Sequence, residues 1–278
     1  MKIKLGSAFS GIGGFELGLH WSISNLETVW QIEQNKFCQK VLKKHWPNSQ
    51  IYDDITTIDT KQLEDVDILC AGFPCTDISY AGKGEGIHGK KSGLFWELWR
   101  VIRDFKQQGR QIPLLLLENV PAITIRGLGQ VLGALSRIGY NAEWFVISAK
   151  DFGAPHLRKR WFLVAYPTGG AKKEFALDRT SQKGKAPHPN ARRKSGFAYK
   201  KKPSFWKTCE VSWGGNCISL PRNNWEKIPF ESLLCPLGDG VPNRVARLRA
   251  LGNAIVPQCS EWIGNRLIET GLLEDVLC

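Results

Sequence analysis

Residues 2–165 alternate short apolar runs with segments in which apolar residues recur every three or four positions. Short apolar runs indicate buried strands, and the longer spacing indicates amphipathic helices. The predicted strands are Lys2–Phe9, Glu27–Ile32, Val66–Cys70, Leu114–Leu117, Ala142–Ile147 and Arg160–Ala165. The predicted helices are Gly14–Ile23, Lys36–His45, Leu94–Phe105 and Leu128–Ile138. This alternation is typical of an α/β fold with a doubly wound, mostly parallel sheet.

The end of this pattern predicts a change of architecture. The last two strands are joined by Asp151-Phe152-Gly153-Ala154-Pro155, which is too short for a crossover helix, so we expect them to be antiparallel. Apolar periodicity stops near Tyr166 and returns at Pro242–Leu251 and Ile255–Ile268. We therefore expect three parts: a catalytic and cofactor-binding domain at 1–166, a small irregular lobe at 167–240, and a C-terminal segment at 241–278 that packs back on the first domain.

The positive charge is concentrated in the irregular lobe. The 278 residues carry a formal net charge of +12, and residues 167–210, with twelve Lys and Arg against three acids, contribute +9 of it. Phe197, Tyr199, Phe205 and Trp206 interrupt the basic residues. Such a stretch suits a polyanion with stackable bases. Charge alone leaves about even odds that the stretch is a solvated insertion.

Composition excludes several other classes of protein. A content of 42% hydrophobic and 23% charged residues is ordinary for a globular protein that builds its own core. The eight cysteines form no Cys-x-x-Cys pair and no Cys/His cluster with zinc spacing, so we expect reduced thiols and no metal. No apolar stretch is long enough for a signal sequence or a membrane span. We expect a cytoplasmic location, without membrane association.

A glycine-rich turn follows the first strand and opens the first helix. Phe9-Ser10-Gly11-Ile12-Gly13-Gly14-Phe15-Glu16 lets the backbone approach a ligand closely. The dinucleotide-binding spacing would require glycine at Glu16, so a nucleoside cofactor without a pyrophosphate fits better. Glu33 lies at the end of the second strand, where it can accept hydrogen bonds from ribose hydroxyls. Asp54, which lies between the helix Lys36–His45 and the strand Val66–Cys70, can meet an exocyclic amine. Together these residues predict a cofactor site, although each acid alone is more often an ordinary surface group.

A thiol and a carboxylate end two buried strands. Cys75 closes Gly72-Phe73-Pro74-Cys75 and begins a glycine-rich segment, 76–91, which suits a lid over a cleft. Glu118 follows four leucines, and burial there would raise its pKa and keep it protonated long enough to donate. Parallel strands end at one edge, so the two groups can share a substrate pocket. Taken singly, Cys75 is more often a structural thiol, and the alternative for Glu118 is a capping carboxylate at a loop.

Two arginines precede the last strand of the sheet. In His156-Leu157-Arg158-Lys159-Arg160, the alternate residues Arg158 and Arg160 share one side of an extended segment. One guanidinium can meet a carbonyl or carboxylate in the pocket, and the other can meet a phosphate. The alternative is a basic strand end in solvent.

These motifs, in this order, resemble the cytosine-C5 DNA methyltransferases. The resemblance covers residues 1–166 and 241–269. It is carried by the following motifs: Phe9-Ser-Gly-Ile-Gly-Gly-Phe15, Glu33, Asp54-Ile55, Gly72-Phe-Pro-Cys75, Gly93-Leu-Phe-Trp96, Glu118-Asn-Val120, Asp151 to Arg160, and Leu251-Gly-Asn-Ala-Ile-Val-Pro257. His156 departs from the pattern, because many members have glutamine there.

The resemblance implies a Rossmann-like methyltransferase fold and S-adenosylmethionine as methyl donor. It implies four catalytic residues, Cys75, Glu118, Arg158 and Arg160, with Cys75 as nucleophile and with Glu118 and Arg160 holding a flipped cytosine. It also implies that residues 167–240 form a target-recognition lobe. The implied cofactor residues are Phe9, Ser10, Gly11, Gly13, Gly14, Glu33, Asp54, Ile55 and Asn253.

The implied substrate is double-stranded DNA in a bacterial or phage modification system. We expect a monomer, with a cognate restriction endonuclease as a candidate partner. Two alternatives stand beside this interpretation. One is a tRNA cytosine-5 methyltransferase, and the other is a catalytically silent DNA-binding protein. The intact Cys75, Glu118 and Arg160 argue against the second.

Overall fold

A mixed seven-stranded sheet forms the centre of the protein. The computed structural model describes residues 2–74, 93–154, 156–169, 208–213, 216–221 and 244–277. The strands of the sheet are β1 (Ile3–Ala8), β2 (Leu26–Ile32), β3 (Gln50–Tyr52), β4 (Ile68–Gly72), β5 (Leu114–Asn119), β6 (Tyr140–Ser148) and β7 (Lys159–Pro167). Their order is β3-β2-β1-β4-β5-β7-β6. The first five strands, β1 to β5, run parallel to one another, whereas β7 pairs antiparallel with both β5 and β6. The predicted doubly wound sheet and the antiparallel final pair are thus confirmed.

Helices cover both faces of the sheet. They are α1 (Gly14–Ser22), α2 (Lys36–His45), α3 (Leu94–Gln107), α4 (Ile123–Arg126), α5 (Leu128–Arg137), α6 (Arg244–Asn253), α7 (Pro257–Glu269) and α8 (Leu272–Leu277). Adjacent residues of β4 pack in two different hydrophobic clusters, one on each face of the sheet. Ile68 lies in a cluster with Phe15 and Ile263, and Leu69 lies in a cluster with Phe95. In the part of the chain that the structure describes, no helix combines the length and apolar character needed to cross a membrane.

Small residues bring α7 against α1. A side chain at Gly18 would collide with Pro257 O and Ser260 Oγ, and one at Gly264 would collide with Ser22 Oγ. Ser260 Oγ also donates a hydrogen bond to the carbonyl oxygen of the first residue of α1 at 3.2 Å. Because interiors are close-packed, only glycine fits at these contacts. The described C-terminal helix α7 therefore lies directly on the helix that follows the glycine turn.

A two-stranded antiparallel sheet stands apart in sequence from the seven strands. It pairs β8 (Thr208–Trp213) with β9 (Asn216–Pro221). This hairpin falls within the segment predicted to be irregular, where few elements were expected. The division of the chain at residues 166 and 240 stays a prediction.

Candidate active site

The order of the strands places the crevice of the sheet between β1 and β4. The chain winds outward from β1 to β2 and β3, and then continues on the other side with β4 and β5. In open α/β sheets, ligands bind beyond the carboxyl ends of the strands at such a reversal. The glycine turn follows β1 here, and the segment that leads to Cys75 follows β4. The two predicted motifs therefore flank one crevice.

The glycine turn has a left-handed backbone. Phe9 and Gly11 both have φ of 57°, and Gly13 has φ of 83°. A side chain at Gly11 would meet no atom within 4 Å among the described residues, so the space above the turn is open. At Gly14 the backbone packs closely against the C-terminal segment, because a side chain there would collide with Ile255 O. A left-handed conformation at the non-glycine Phe9 is uncommon, and such conformations cluster at functional sites.

Glu33 is bonded directly to this turn. Its Oε2 accepts a hydrogen bond from Gly11 N at 2.8 Å, and its Oε1 accepts one from Asn35 N at 2.7 Å. Burial raises the pKa of the Glu33 carboxyl, while these backbone N–H groups and that of Gln34 oppose the increase. Ser10 N donates to the carbonyl of Ile32 at 3.2 Å. The ends of β1 and β2 are therefore held as one unit.

Asp54 and Ile55 follow β3 at the same edge of the sheet. Asp54 Oδ1 accepts hydrogen bonds from the backbone N and the Oγ1 of Thr56, both at 2.9 Å. Ile55 is buried, and its carbonyl accepts a hydrogen bond from Arg100 Nη2 at 2.6 Å. β3 pairs with β2, so this corner is next to the strand that Glu33 directly follows.

Arg158 contacts the C-terminal segment. Its Nη1 donates to Gly252 O and its Nη2 to Ala254 O, each at 2.6 Å. The two carbonyls flank Asn253, whose side chain is exposed at the end of α6. Arg158 has φ of 24°, the second non-glycine residue with positive φ among those described. Its guanidinium thus fixes the backbone on both sides of a predicted cofactor residue.

Glu118, which is buried, and Arg160, which is half-buried, form an ion pair at the crevice. Arg160 Nε lies 2.9 Å from Glu118 Oε1, and Glu118 is 8% exposed. Burial raises the pKa of Glu118 to about 7, although Arg160, and more weakly Arg158, act to lower it. A carboxyl group with this pKa can exist in either protonation state near neutrality. It therefore has the acid–base range that proton donation requires.

Gly72 and Asn119 also belong to this edge, although neither was predicted to be a catalytic residue. Gly72 is the register partner of Glu118, and a Cβ at Gly72 would lie 3.0 Å from Glu118 Oε2. Asn119 Nδ2 donates to Phe73 O at 3.1 Å, which ties the end of β5 to the residues just before Cys75. The sequence feature that could have indicated the role of Gly72 is a glycine at the last position of a strand, opposite the acid Glu118. Cys75 itself lies outside the described residues.

Comparison with known proteins agrees with this geometry. The sequence profile of the family described as C-5 cytosine-specific DNA methylase matches residues 3–214. Type II methyltransferase M2.BsuMI of Bacillus subtilis (strain 168) is 32% identical over 304 aligned residues, which cover 95% of this chain and 75% of that protein. Type II methyltransferase M.NlaIV of Neisseria lactamica is 34% identical over 178 residues, which cover 59% of this chain but only 41% of that protein.

The solved structure of the Entamoeba histolytica methyltransferase EhMeth shares the fold. It superposes with a TM-score of 0.55 at 21% identity and covers 64% of this chain and 56% of that one. This likeness concerns the fold alone. The family is established by the profile, which matches well over half of the chain, and by the 32% identity to the Bacillus subtilis protein. The chain belongs to the C-5 cytosine-specific DNA methylase family.

Proposed function

We propose that this chain transfers a methyl group from S-adenosylmethionine to C5 of a cytosine in duplex DNA. The observation that carries the proposal is the ion pair of the buried Glu118 with Arg160, at the end of β5 beside the strand that leads to Cys75. The glycine turn and Glu33 lie across the same crevice. A group that protonates a base and a group that binds a nucleoside donor thus share one edge.

Cys75 is proposed as the nucleophile. Attack of its thiolate on C6 of cytosine makes C5 an enamine carbon that can accept a methyl group. The C5 proton then leaves, with water as the acceptor, and elimination frees the thiol. The role of Cys75 rests on its position in the sequence, directly after Phe73 and Pro74. Asn119 supports this role by holding Phe73 O.

Glu118 and Arg160 are proposed to stabilise the ring during this attack. Negative charge builds on N3 and O2 of cytosine when the thiolate adds to C6. Protonated Glu118 would donate to N3, and the Arg160 guanidinium would donate to O2. Donors fixed in a dry site stabilise developing charge far better than donors in water. The low exposure of Glu118 supplies such a site.

The residues of the glycine turn fit the proposed donor. The open space above Gly11 admits a ligand against the backbone, and the Glu33 and Asp54 carboxylates are acceptors suited to ribose hydroxyls and an exocyclic amine. Phe9, Ser10, Gly13, Gly14 and Ile55 would shape the same wall, and Asn253 would close it from the C-terminal segment. When bound, the sulfonium donor supplies an electrophilic methyl group.

DNA binding is assigned to the basic segment within residues 167–240. Twelve Lys and Arg in residues 167–210 can neutralise phosphates, and the target base must leave the stack before it reaches Glu118. We propose that the enzyme acts in the cytoplasm of a bacterial or phage-infected cell. We further propose that the enzyme is a monomer and that a cognate restriction endonuclease is its partner.

The deciding experiment offers the protein two nucleic acids side by side. Purified protein is incubated with labelled S-adenosylmethionine and either genomic DNA or tRNA, and 5-methylcytosine is mapped by sequencing. We expect label in DNA at one short sequence and background label in tRNA. Methylation of tRNA alone would identify the protein as a tRNA cytosine-5 methyltransferase. Binding of DNA without label in either substrate would identify a silent DNA-binding protein.

A further inference from the structure

A carboxylic acid lies in the core directly beneath the glycine turn. Glu16 is on α1 and has 0% exposure, as does Gln31 on β2. Gln31 Nε2 donates a hydrogen bond to Glu16 Oε1 at 2.9 Å. In the described part of the chain, the other oxygens of the two side chains, Glu16 Oε2 and Gln31 Oε1, have no hydrogen-bond partner. Both of these atoms are acceptors when Glu16 is ionised.

One added proton would complete the pair. A carboxylic acid and a primary amide form a cyclic pair, in which the amide N–H donates to one carboxyl oxygen and the acid O–H donates to the amide oxygen. The first of these bonds is present. The proton for the second would satisfy both unpartnered oxygens at once, and buried polar atoms are rarely left unpaired.

The pair is linked to the cofactor turn. Ser10, in the turn, donates through its Oγ to Ser7 Oγ at 2.9 Å, and both hydroxyls lie close enough to Glu16 to influence its titration. Glu16 is on the helix that begins at the turn, and Gln31 is two residues before Glu33. The pair therefore joins the three elements, β1, β2 and α1, whose ends form the predicted donor site.

We propose that Glu16 is protonated in the folded protein and, as a neutral acid paired with Gln31, positions the glycine turn for the methyl donor. This inference rests on the proposed function for its link to the donor. Glu16 is a positioning residue, because it acts through Ser10 and the turn.

The surroundings of Glu16 favour the neutral form. Burial raises the pKa of Glu16, and the hydrogen bond from Gln31, with smaller effects of the nearby Ser7 and Ser10 hydroxyls, opposes this increase only in part. The titratable group facing it is the Cys70 thiol on β4, and burial raises the pKa of this thiol well above its ordinary value, so it too is uncharged. β1 and β2 present the uncharged Ser7 and Gln31, and α7 contacts this end of α1 through Ser260.

Three variants separate a neutral acid from an ion. Glu16→Gln keeps a donor for Gln31 Oε1 without a titrating proton, whereas Glu16→Met keeps the size and removes the hydrogen bonds. Glu27→Gln, on the same strand as Gln31 but ion-paired with Lys2 at the surface, is the matched control. Donor binding is measured calorimetrically with S-adenosylhomocysteine. We expect Glu16→Gln and Glu27→Gln to bind within threefold of wild type, and Glu16→Met to bind at least tenfold more weakly.

Two readouts are independent of donor binding. In a Glu118→Gln background, infrared spectra at pH 7.5 should contain a protonated-carboxyl band that disappears on adding Glu16→Gln. Because the folded-state pKa of Glu16 lies above its unfolded value of 4.5, wild-type stability declines as pH rises above that value. The melting temperature of Glu16→Gln, which cannot titrate, should therefore rise relative to that of wild type as the pH is increased from 5. An unchanged infrared spectrum, or Glu16→Gln binding as weakly as Glu16→Met, would overturn the inference. Failure of wild type to bind the cofactor would instead count against the proposed function.

Discussion

The ionisation of Glu118 should set the pH dependence of methyl transfer. Burial raises the pKa of this carboxyl to about 7, against the opposing effects of Arg160 and Arg158. If only the protonated acid donates to cytosine N3, the active fraction falls from about 0.76 at pH 6.5 to about 0.03 at pH 8.5, a decline of roughly 25-fold. Glu118→Gln cannot titrate, and it should slow the reaction by about 10² to 10⁴ at pH 6.5, because proton transfer is lost.

The ratio of the two rates isolates this effect. Single-turnover methylation of wild type and Glu118→Gln is measured at saturating donor and DNA between pH 6.5 and 8.5. Thiol ionisation at Cys75 affects both proteins alike and cancels when the wild-type rate is divided by the Glu118→Gln rate. This ratio should therefore fall about 25-fold from pH 6.5 to pH 8.5. Glu274→Gln, an exposed carboxylate on α8, should follow wild type throughout. A ratio that stays constant within twofold would refute proton donation by Glu118.

Three further outcomes are expected. Arg158→Met removes both hydrogen bonds to the backbone around Asn253, so the donor Kd should rise at least about tenfold by calorimetry, because such charged bonds contribute about 1.5–3 kcal/mol. Unchanged donor affinity would show that this clamp does not shape the site. Gly18→Val should lower the free energy of unfolding by about 1–3 kcal/mol through overpacking against α7. The control Gly129→Ala, on α5 with no described atom within 4 Å of the new carbon, should melt no lower than wild type, and equal melting of the two variants would contradict the packing. Replacing the basic residues of 192–202 by Ser should weaken DNA binding and flatten its salt dependence. An unchanged salt slope would make that segment a solvated insertion.

The sheet could be predicted from the sequence because burial on both faces leaves strands with continuous apolar runs. β5 begins at Leu114, as its run of leucines indicates. The final antiparallel pair is longer than predicted, since β6 begins at Tyr140 and β7 ends at its register partner Pro167. Backbone hydrogen bonds extend these strands past their apolar residues, and hydrophobic patterning does not detect them.

The candidate site was predictable where a residue ends a strand, and less so where its role depends on distant contacts. Glu33 and Glu118 follow from topology, because strand ends gather at one edge. The bonds from Arg158 to carbonyls more than ninety residues away depend on how α6 returns to the sheet. Glu16 entered the sequence argument only as a residue that breaks a glycine spacing. Acidic side chains are rarely buried unpaired, so nothing in the pattern predicts its position in the core.

Covalent trapping tests the central claim most directly. An oligonucleotide that carries 5-fluorocytosine at the mapped methylation site is incubated with the protein and S-adenosylmethionine, and adducts are detected by denaturing electrophoresis and mass spectrometry. Fluorine at C5 cannot leave as a proton, so elimination stops and the bond between Cys75 and C6 should persist. Wild type and Cys38→Ser should form the adduct, and Cys75→Ser should form none. A wild-type protein that methylates the unmodified site without trapping, or a Cys75→Ser protein that traps, would contradict the account.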